Sequence, residues 1–470
     1  MKHFALLLIV VLTAALNVPA QEFKNEFWLE DFAQLKAEMS AHYANLEWAV
    51  AERGVNLKEL AEEAEKRLRA AKTEAEARTV LDGFLRSFGD GHLTIDAATN
   101  AASVQSKPAA QSLCSRLGFE SRTARPGLDF SPFNNFQSLA AEESKYFPAG
   151  IIKLSNKKRV GIIRIGLFME SMFPDLCETA LSELKLAPDL ACDGFCENQI
   201  RRRASNLLTA AFARQIEQLR REKVDQLMID LTANGGGTNW YEPAARTLTK
   251  KPLRSPRAAF IRHPHWAKNL SDRLADFGAA AAKSSGAEQK MLQLVAAAVR
   301  TDLVEANKPC DRAALWQNQK ISCSLVVPFS KHILPYAKPG ELSASPVGNI
   351  LFAASDYDYR EGVYNGKLLI LVDGRTASSS EAFTAMLRDN GAATVLGQPS
   401  MGAGCGYTNG GIPTVLKNSL LKIKMPDCVR LRADGSNEIN GITPDVIVPW
   451  RVNDSPYQKA KRTIESLEKL

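Results

Sequence analysis

Histidine is scarce, with six residues in a chain of 470. Any reaction that needs an imidazole therefore has few candidates, and position sets most of them aside. His3 lies in the first apolar run, His263 and His265 flank Pro264, His332 follows a serine in an expected loop, and His42 sits in an expected helix beside alanine and tyrosine. Long apolar runs are also missing. After the first twenty residues no stretch reaches the roughly 20 residues that cross a bilayer. There is no basic stripe either, because Lys+Arg 59 and Asp+Glu 52 are spread along the chain, so no electrostatic footprint for nucleic acid is present. Internal repeats and long low-complexity tracts are absent. With 45% hydrophobic and 24% charged residues the composition is that of an ordinary globular protein. At roughly 150 residues per domain the length predicts two to four folding units.

The first twenty residues follow a different pattern. Lys2 and His3 precede an apolar run over 4–16, and Asn-Val-Pro-Ala follows, which predicts a secretory signal cleaved near Ala20. The run is short for a membrane span, and no cysteine follows it to take a lipid. The expected product is exported, periplasmic or secreted. Eight cysteines, an even number, suit an oxidising compartment. Cys310/Cys323, Cys405/Cys428 and Cys192/Cys196 are spaced as local pairs, while the connectivity stays open. Cys192 and Cys196 lack the second Cys or His pair that a zinc site needs, so no metal is expected.

Along the chain, Phe32, Leu35, Met39 and Tyr43, then Leu57, Leu60 and Ala64, then Ala77, Val80, Leu81 and Phe84 recur at helical spacing. Residues 21–96 are expected to form a small N-terminal helical domain. Residues 97–150, rich in Ala, Ser, Pro and Asn, read as an irregular linker segment. From 151 to 470 strands and helices alternate, as in an α/β core. "RVGIIRIGLF" and "VDQLMIDLTANGGG" read as strands around the helix "ASNLLTAAFARQIEQLRREK". The pattern loosens over 241–362, taken as a helical insertion. "ATVLGQP", "LLKIKMP" and "CVRLRADG" continue as strands, and a charged helix closes the chain.

Chemistry concentrates around "LLILVDGRTASSSEAF", residues 368–383, where a buried strand runs into three serines and a helix. Ser378 and Glu381 have capping-box spacing, in which both side chains serve backbone donors. The same corner suits a nucleophile, with its hydroxyl exposed beside the positive end of a helix. Both readings stand on these residues alone. His92 follows a glycine-bracketed turn, Gly89-Asp90-Gly91, that can present an imidazole as a base. "NGGG", 234–237, is either a tight loop or a source of backbone amides for an oxyanion. No Gly-Lys-Ser/Thr follows it, so a phosphate loop is disfavoured.

Taken in order, "GDGH" (89–92), "GIIRIGLF" (161–168), "DLTANGGG" (230–237) with "VDGRTASSSEAF" (372–383), and "NEINGITPDV" (437–446) resemble the serine peptidase family of C-terminal processing proteases, tricorn core protease and interphotoreceptor retinoid-binding protein. The resemblance covers most of 25–465. It implies a crotonase-like core of stacked sheet and helices, Ser378 as nucleophile, and oxyanion donors among Ser379, Gly236 and Gly237. Processing proteases use a lysine base in a loop that here reads Pro399-Ser400-Met401-Gly402-Ala403-Gly404, with Ala403 in the lysine's place. The tricorn-like branch uses a histidine, which His92 matches, and an acid, which Glu438 matches. That branch has a serine before the histidine where this chain has Gly91. Either Glu438 supports His92, directly or through water, or another acid such as Asp90 orients the ring. The peptide-binding PDZ domain of processing proteases has no counterpart in 97–150. The implied function is an exported serine peptidase acting on polypeptide substrates without metal or organic cofactor. A noncatalytic binding protein on the same fold, for apolar small molecules or peptides, is the alternative.

Overall fold

A computed structural model describes residues 23–96, 112–321, 325–329, 333–334, 336–342, 344–407 and 414–470. The expected signal, His3, His332, Cys323 and residues 97–111 of the expected linker lie outside the described residues. The architecture is mixed α/β, with a central seven-stranded sheet between helices. Five of its strands are parallel: Arg159–Arg164, Gln226–Asp230, Lys367–Val372, Thr394–Gly397 and Val446–Ile447. Phe136–Ser138 and Ala149–Lys153 extend one edge antiparallel.

Both faces of this sheet are covered, which is why its strands are continuously apolar. Successive side chains of Lys367–Val372 alternate between the two sides. Leu368, Ile370 and Val372 pack with the long helix Gly194–Arg221 and the helix Ser379–Asp389. Leu369 and Leu371 pack with Ala460, Ile464 and Leu467 of the closing helix Pro456–Leu467. Helix and strand therefore meet at the carboxyl end of the sheet's middle strands, where ligands of open α/β sheets bind.

The helices Asn25–His42, Leu57–Ala70 and Glu74–Arg86 occur where the periodicity placed them, and a short helix Leu46–Ala51, not expected, lies between the first two. Their apolar faces pack together and onto Leu416, Ile423, Met425 and Ile439. This contact brings the turn after Arg86, which carries His92, to the C-terminal part of the chain.

Within 241–362 the helical reading captures only part of the structure. Pro264–Lys283 and Gly286–Ala306 form a helical pair, but Arg257–Ile261 and Leu325–Phe329 are strands. Together with Cys428–Leu431 they make a second, three-stranded sheet. Disulfides join Cys114–Cys177, Cys192–Cys196 and Cys405–Cys428, and Cys310 is also disulfide-bonded. Among the described residues no helix is long and apolar enough to cross a membrane, and no cluster of His, Cys, Asp and Glu could hold a metal ion.

The N-terminal helices meet the helical pair at three imidazoles. His42 and His263 lie 4.5 Å apart between ring centroids, and His263 Nδ1 accepts from the His265 N–H as the cap of helix Pro264–Lys283. Glu38 faces His42, Asp427 faces His265 and Arg312 lies nearby. Burial first, and then the repulsion of His42, His265 and Arg312, lowers the His263 pKa to about 4. An unfolded chain takes up this proton near pH 6.5, about the free value. His263 therefore gives full stability above that pH and withdraws it as the pH falls towards 4. His263→Asn keeps a capping side chain and removes the titration. Urea melts are expected to show the wild type losing more stability than this variant between pH 7 and pH 4. Equal losses would refute the assignment.

Candidate active site

The buried strand Lys367–Val372 ends at a turn in which Asp373 accepts from Ala233 and Arg375 N–H groups, joining it to the 231–237 loop. The chain then reaches Ser378, whose backbone adopts φ 56° and ψ −118°. That conformation costs a non-glycine residue about 1–3 kcal/mol and is typical of functional sites. The Ser378 Oγ makes no cap hydrogen bond, whereas the Ser378 N–H donates to Glu381 Oε2 at 2.9 Å. Only the Glu381 half of the expected capping box forms, so the hydroxyl is left uncommitted at the N-terminus of helix Ser379–Asp389.

Beside Ser378 opens a cavity of about 310 Å³, lined among others by His92, Gly237, Tyr241, Ser378, Ser379 and Arg430. Nucleophile and base candidates from opposite ends of the chain thus share one cavity. The His92 ring is held by a backbone group: Nδ1 lies 2.6 Å from the Ala403 carbonyl. With Nδ1–H donating there, Nε2 is the nitrogen that is bare in the neutral tautomer. Tyr407 packs edge-on against the ring, and Gly406 lies so close that a Cβ there would stand 3.2 Å from His92 Cε1.

Neither expected acid touches this imidazole. Asp90 accepts from the His92 backbone N–H at 2.9 Å, and its other oxygen accepts from Asn45 and Tyr43. It therefore fixes the turn and leaves the ring to Ala403. Burial raises its pKa against these hydrogen bonds. Glu438, completely buried, pairs through Oε1 with Arg430 Nε at 2.7 Å and with Nη2, and its Oε2 has no hydrogen-bond partner among the described residues. Burial pushes this carboxyl up against the pull of Arg430. Arg430 Nη2 also donates to the carbonyls of Ser378 (2.9 Å) and Gly404 (2.8 Å). Glu438 thus meets the serine's turn through Arg430, a residue the sequence reading missed.

The glycines divide their duties. Gly236, at φ 103°, donates its N–H to Asn234 Oδ1 at 2.9 Å, so that amide is not free for an oxyanion. Its role is steric, since a Cβ would come 2.8 Å from Ser378 Cβ and 2.9 Å from Ser379 N. The N–H groups of Gly237 and Ser379 have no acceptor among the described residues, and both residues line the cavity. Ser379 Oγ donates to the Gly237 carbonyl at 3.0 Å, which ties the two loops together.

Residues 199–448, more than half of the chain, match the sequence profile of peptidase family S41. A Chlamydia pneumoniae protein is 24% identical over 268 residues, covering 55% of this chain and 39% of its own length. An uncharacterized Chlamydia muridarum protein is 23% identical over 257 residues, covering 53% and 38%. The chain spans less than half the length of these curated relatives. Among solved structures, mature CPAF complexed with lactacystin aligns with a TM-score of 0.57 and 14% identity, covering 95% of this chain and 98% of that one. Mature CPAF on its own gives 0.57 and 14%, with 95% and 97% covered. At that identity the likeness speaks for the fold.

Proposed function

The chain belongs to peptidase family S41, and on that premise we propose that it hydrolyses peptide bonds with Ser378 as nucleophile and His92 as general base. The observation that carries this reading is the shared cavity, whose lining holds both an uncommitted serine hydroxyl on a strained turn and an imidazole whose Nδ1 is already engaged. His92 Nε2 takes the Ser378 proton as Oγ attacks the substrate carbonyl, then gives it to the leaving amine. A water molecule, activated in the same way, releases the acyl group. The N–H groups of Gly237 and Ser379 receive the oxyanion, aided by the helix N-terminus. Glu438 acts through Arg430, which holds the Ser378 and Gly404 carbonyls. The core is proposed to be crotonase-like, carrying the N-terminal helices as a domain. The disulfides support action outside a reducing compartment, on polypeptide substrates.

Fluorophosphonate labelling of the oxidised protein across pH 5 to 9, with the adduct located by mass spectrometry, tests the proposal. An adduct on Ser378 that disappears in His92→Ala is the expected result. A folded protein that stays unlabelled would remove the catalytic reading and leave a binding protein on this fold.

A further inference from the structure

We infer that Glu381 is the positioning residue of this site, the group that keeps the nucleophile's turn and the base's loop in register. The inference rests on the roles proposed for Ser378 and His92. Glu381 lies completely buried in the first turn of helix Ser379–Asp389. Its carboxylate accepts four hydrogen bonds: Oε1 from Ser400 Oγ at 2.5 Å and Gly402 N at 2.7 Å, Oε2 from Ser378 N and Ala403 N, both at 2.9 Å. One oxygen therefore holds the amide of the nucleophile and the amide of Ala403, whose carbonyl holds His92 Nδ1.

The chemistry of the donors explains why a carboxylate stands here. Ser400 Oγ accepts from Ile442 N at 2.7 Å, so its own proton points to Glu381, and the other three donors are backbone N–H groups. Only a group that accepts at both oxygens satisfies all four. Glutamine would turn its NH₂ against one pair of donors, and aspartate is one methylene too short to span the helix and the loop. Losing the Oε1 pair releases Ser400 Oγ and Gly402 N, and losing the Oε2 pair releases Ser378 N and Ala403 N, so either loss loosens the 400–403 loop against the helix while Ser400 N and Met401 N stay bonded to the Ile442 and Thr376 carbonyls. The Ala403 carbonyl that fixes the base's ring is then less firmly placed, although Glu381 itself touches neither the ring nor the Ser378 hydroxyl. Misplacement of reacting groups on the ångström scale costs about 10²-fold in rate.

The test compares full-length oxidised wild type, Glu381→Gln and Thr384→Val. Thr384→Val removes a buried hydrogen bond to the Ser380 carbonyl in the same helix without touching the loop. Two readouts are taken: the downfield ring N–H proton resonance of His92, assigned by its loss in His92→Gln, and the fluorophosphonate labelling rate of Ser378. Glu381→Gln is expected to shift the His92 N–H resonance upfield, to speed its solvent exchange at least ~10-fold, and to slow labelling by about 10²-fold. Thr384→Val should leave both unchanged. If Glu381→Gln does not fold, Ser400→Ala, which removes one of the four donors, is expected to move the resonance in the same direction. A wild-type His92 resonance in a folded Glu381→Gln, or in Ser400→Ala when that variant stands in, overturns the inference. An unlabelled wild type would instead overturn the peptidase reading, while the resonance still reports on Glu381.

Discussion

Replacing Ser378 by alanine is expected to lower kcat for peptide hydrolysis by about 10⁴- to 10⁶-fold, the loss seen when a serine nucleophile is removed. No neighbour can take its place. Ser379 Oγ is committed to the Gly237 carbonyl, and Ser380 Oγ is buried away from the cavity without a partner. Stability should change little, within about 1 kcal/mol, because the lost hydroxyl makes no cap hydrogen bond and alanine inherits the same backbone. Progress curves on a peptide substrate, together with urea melts of both proteins, check both halves of the prediction. Retained hydrolysis in the variant would sink the assignment of Ser378.

The second large effect falls on stability. Arg430→Met strips from the fully buried Glu438 the side chain that hydrogen-bonds its carboxylate among the described residues, leaving the more distant charge of Arg432, and removes the donor shared by the Ser378 and Gly404 carbonyls. Breaking a buried ion pair from one side costs about 3–5 kcal/mol, since the charge left behind is desolvated and has lost its hydrogen-bonded partner. The remaining carboxyl then favours its protonated form in the fold. Above the ordinary glutamate pKa the native state would hold more protons than the unfolded chain, so the deficit should shrink as the pH is lowered from 8 to 5. Arg430→Met combined with Glu438→Leu should recover most of the stability and none of the activity, because the carbonyl clamp remains absent. Urea unfolding of the single and double variants decides the matter. Wild-type stability in Arg430→Met would show that the pair is not the clamp described here.

Much of this arrangement could be read from the residues because its signals were local. The apolar run 368–372 specified a strand buried on both faces, and the glycines around Asp90 marked the turn that presents His92. The supporting groups left no such trace. Ala403 holds the His92 ring through its carbonyl, which every residue possesses, so no side chain advertised the contact. Arg430 sits in a short strand with alternating polarity and looks like an ordinary surface cation until the fold buries it against Glu438. The two glycine amides differ only because Asn234 occupies one of them. The second sheet was missed for a related reason: Arg257–Ile261 pairs with Cys428–Leu431, far along the chain, and no window of sequence contains both.

The disulfide Cys405–Cys428 spans a sequence separation of 23 residues. One of its ends follows Ala403 and Gly404, and the other lies two residues before Arg430, so it staples the loop that holds the His92 ring to the strand whose Arg430 holds the Ser378 carbonyl. A covalent ring of this size restrains the open chain by about 3 kcal/mol in loop entropy. While the chain is still reduced, that restraint is missing, and the loop depends on hydrogen bonds alone. The placement of these loops is therefore tied to closure of the disulfide: a reduced chain carries every residue of the cavity before it carries the covalent ring that restrains them.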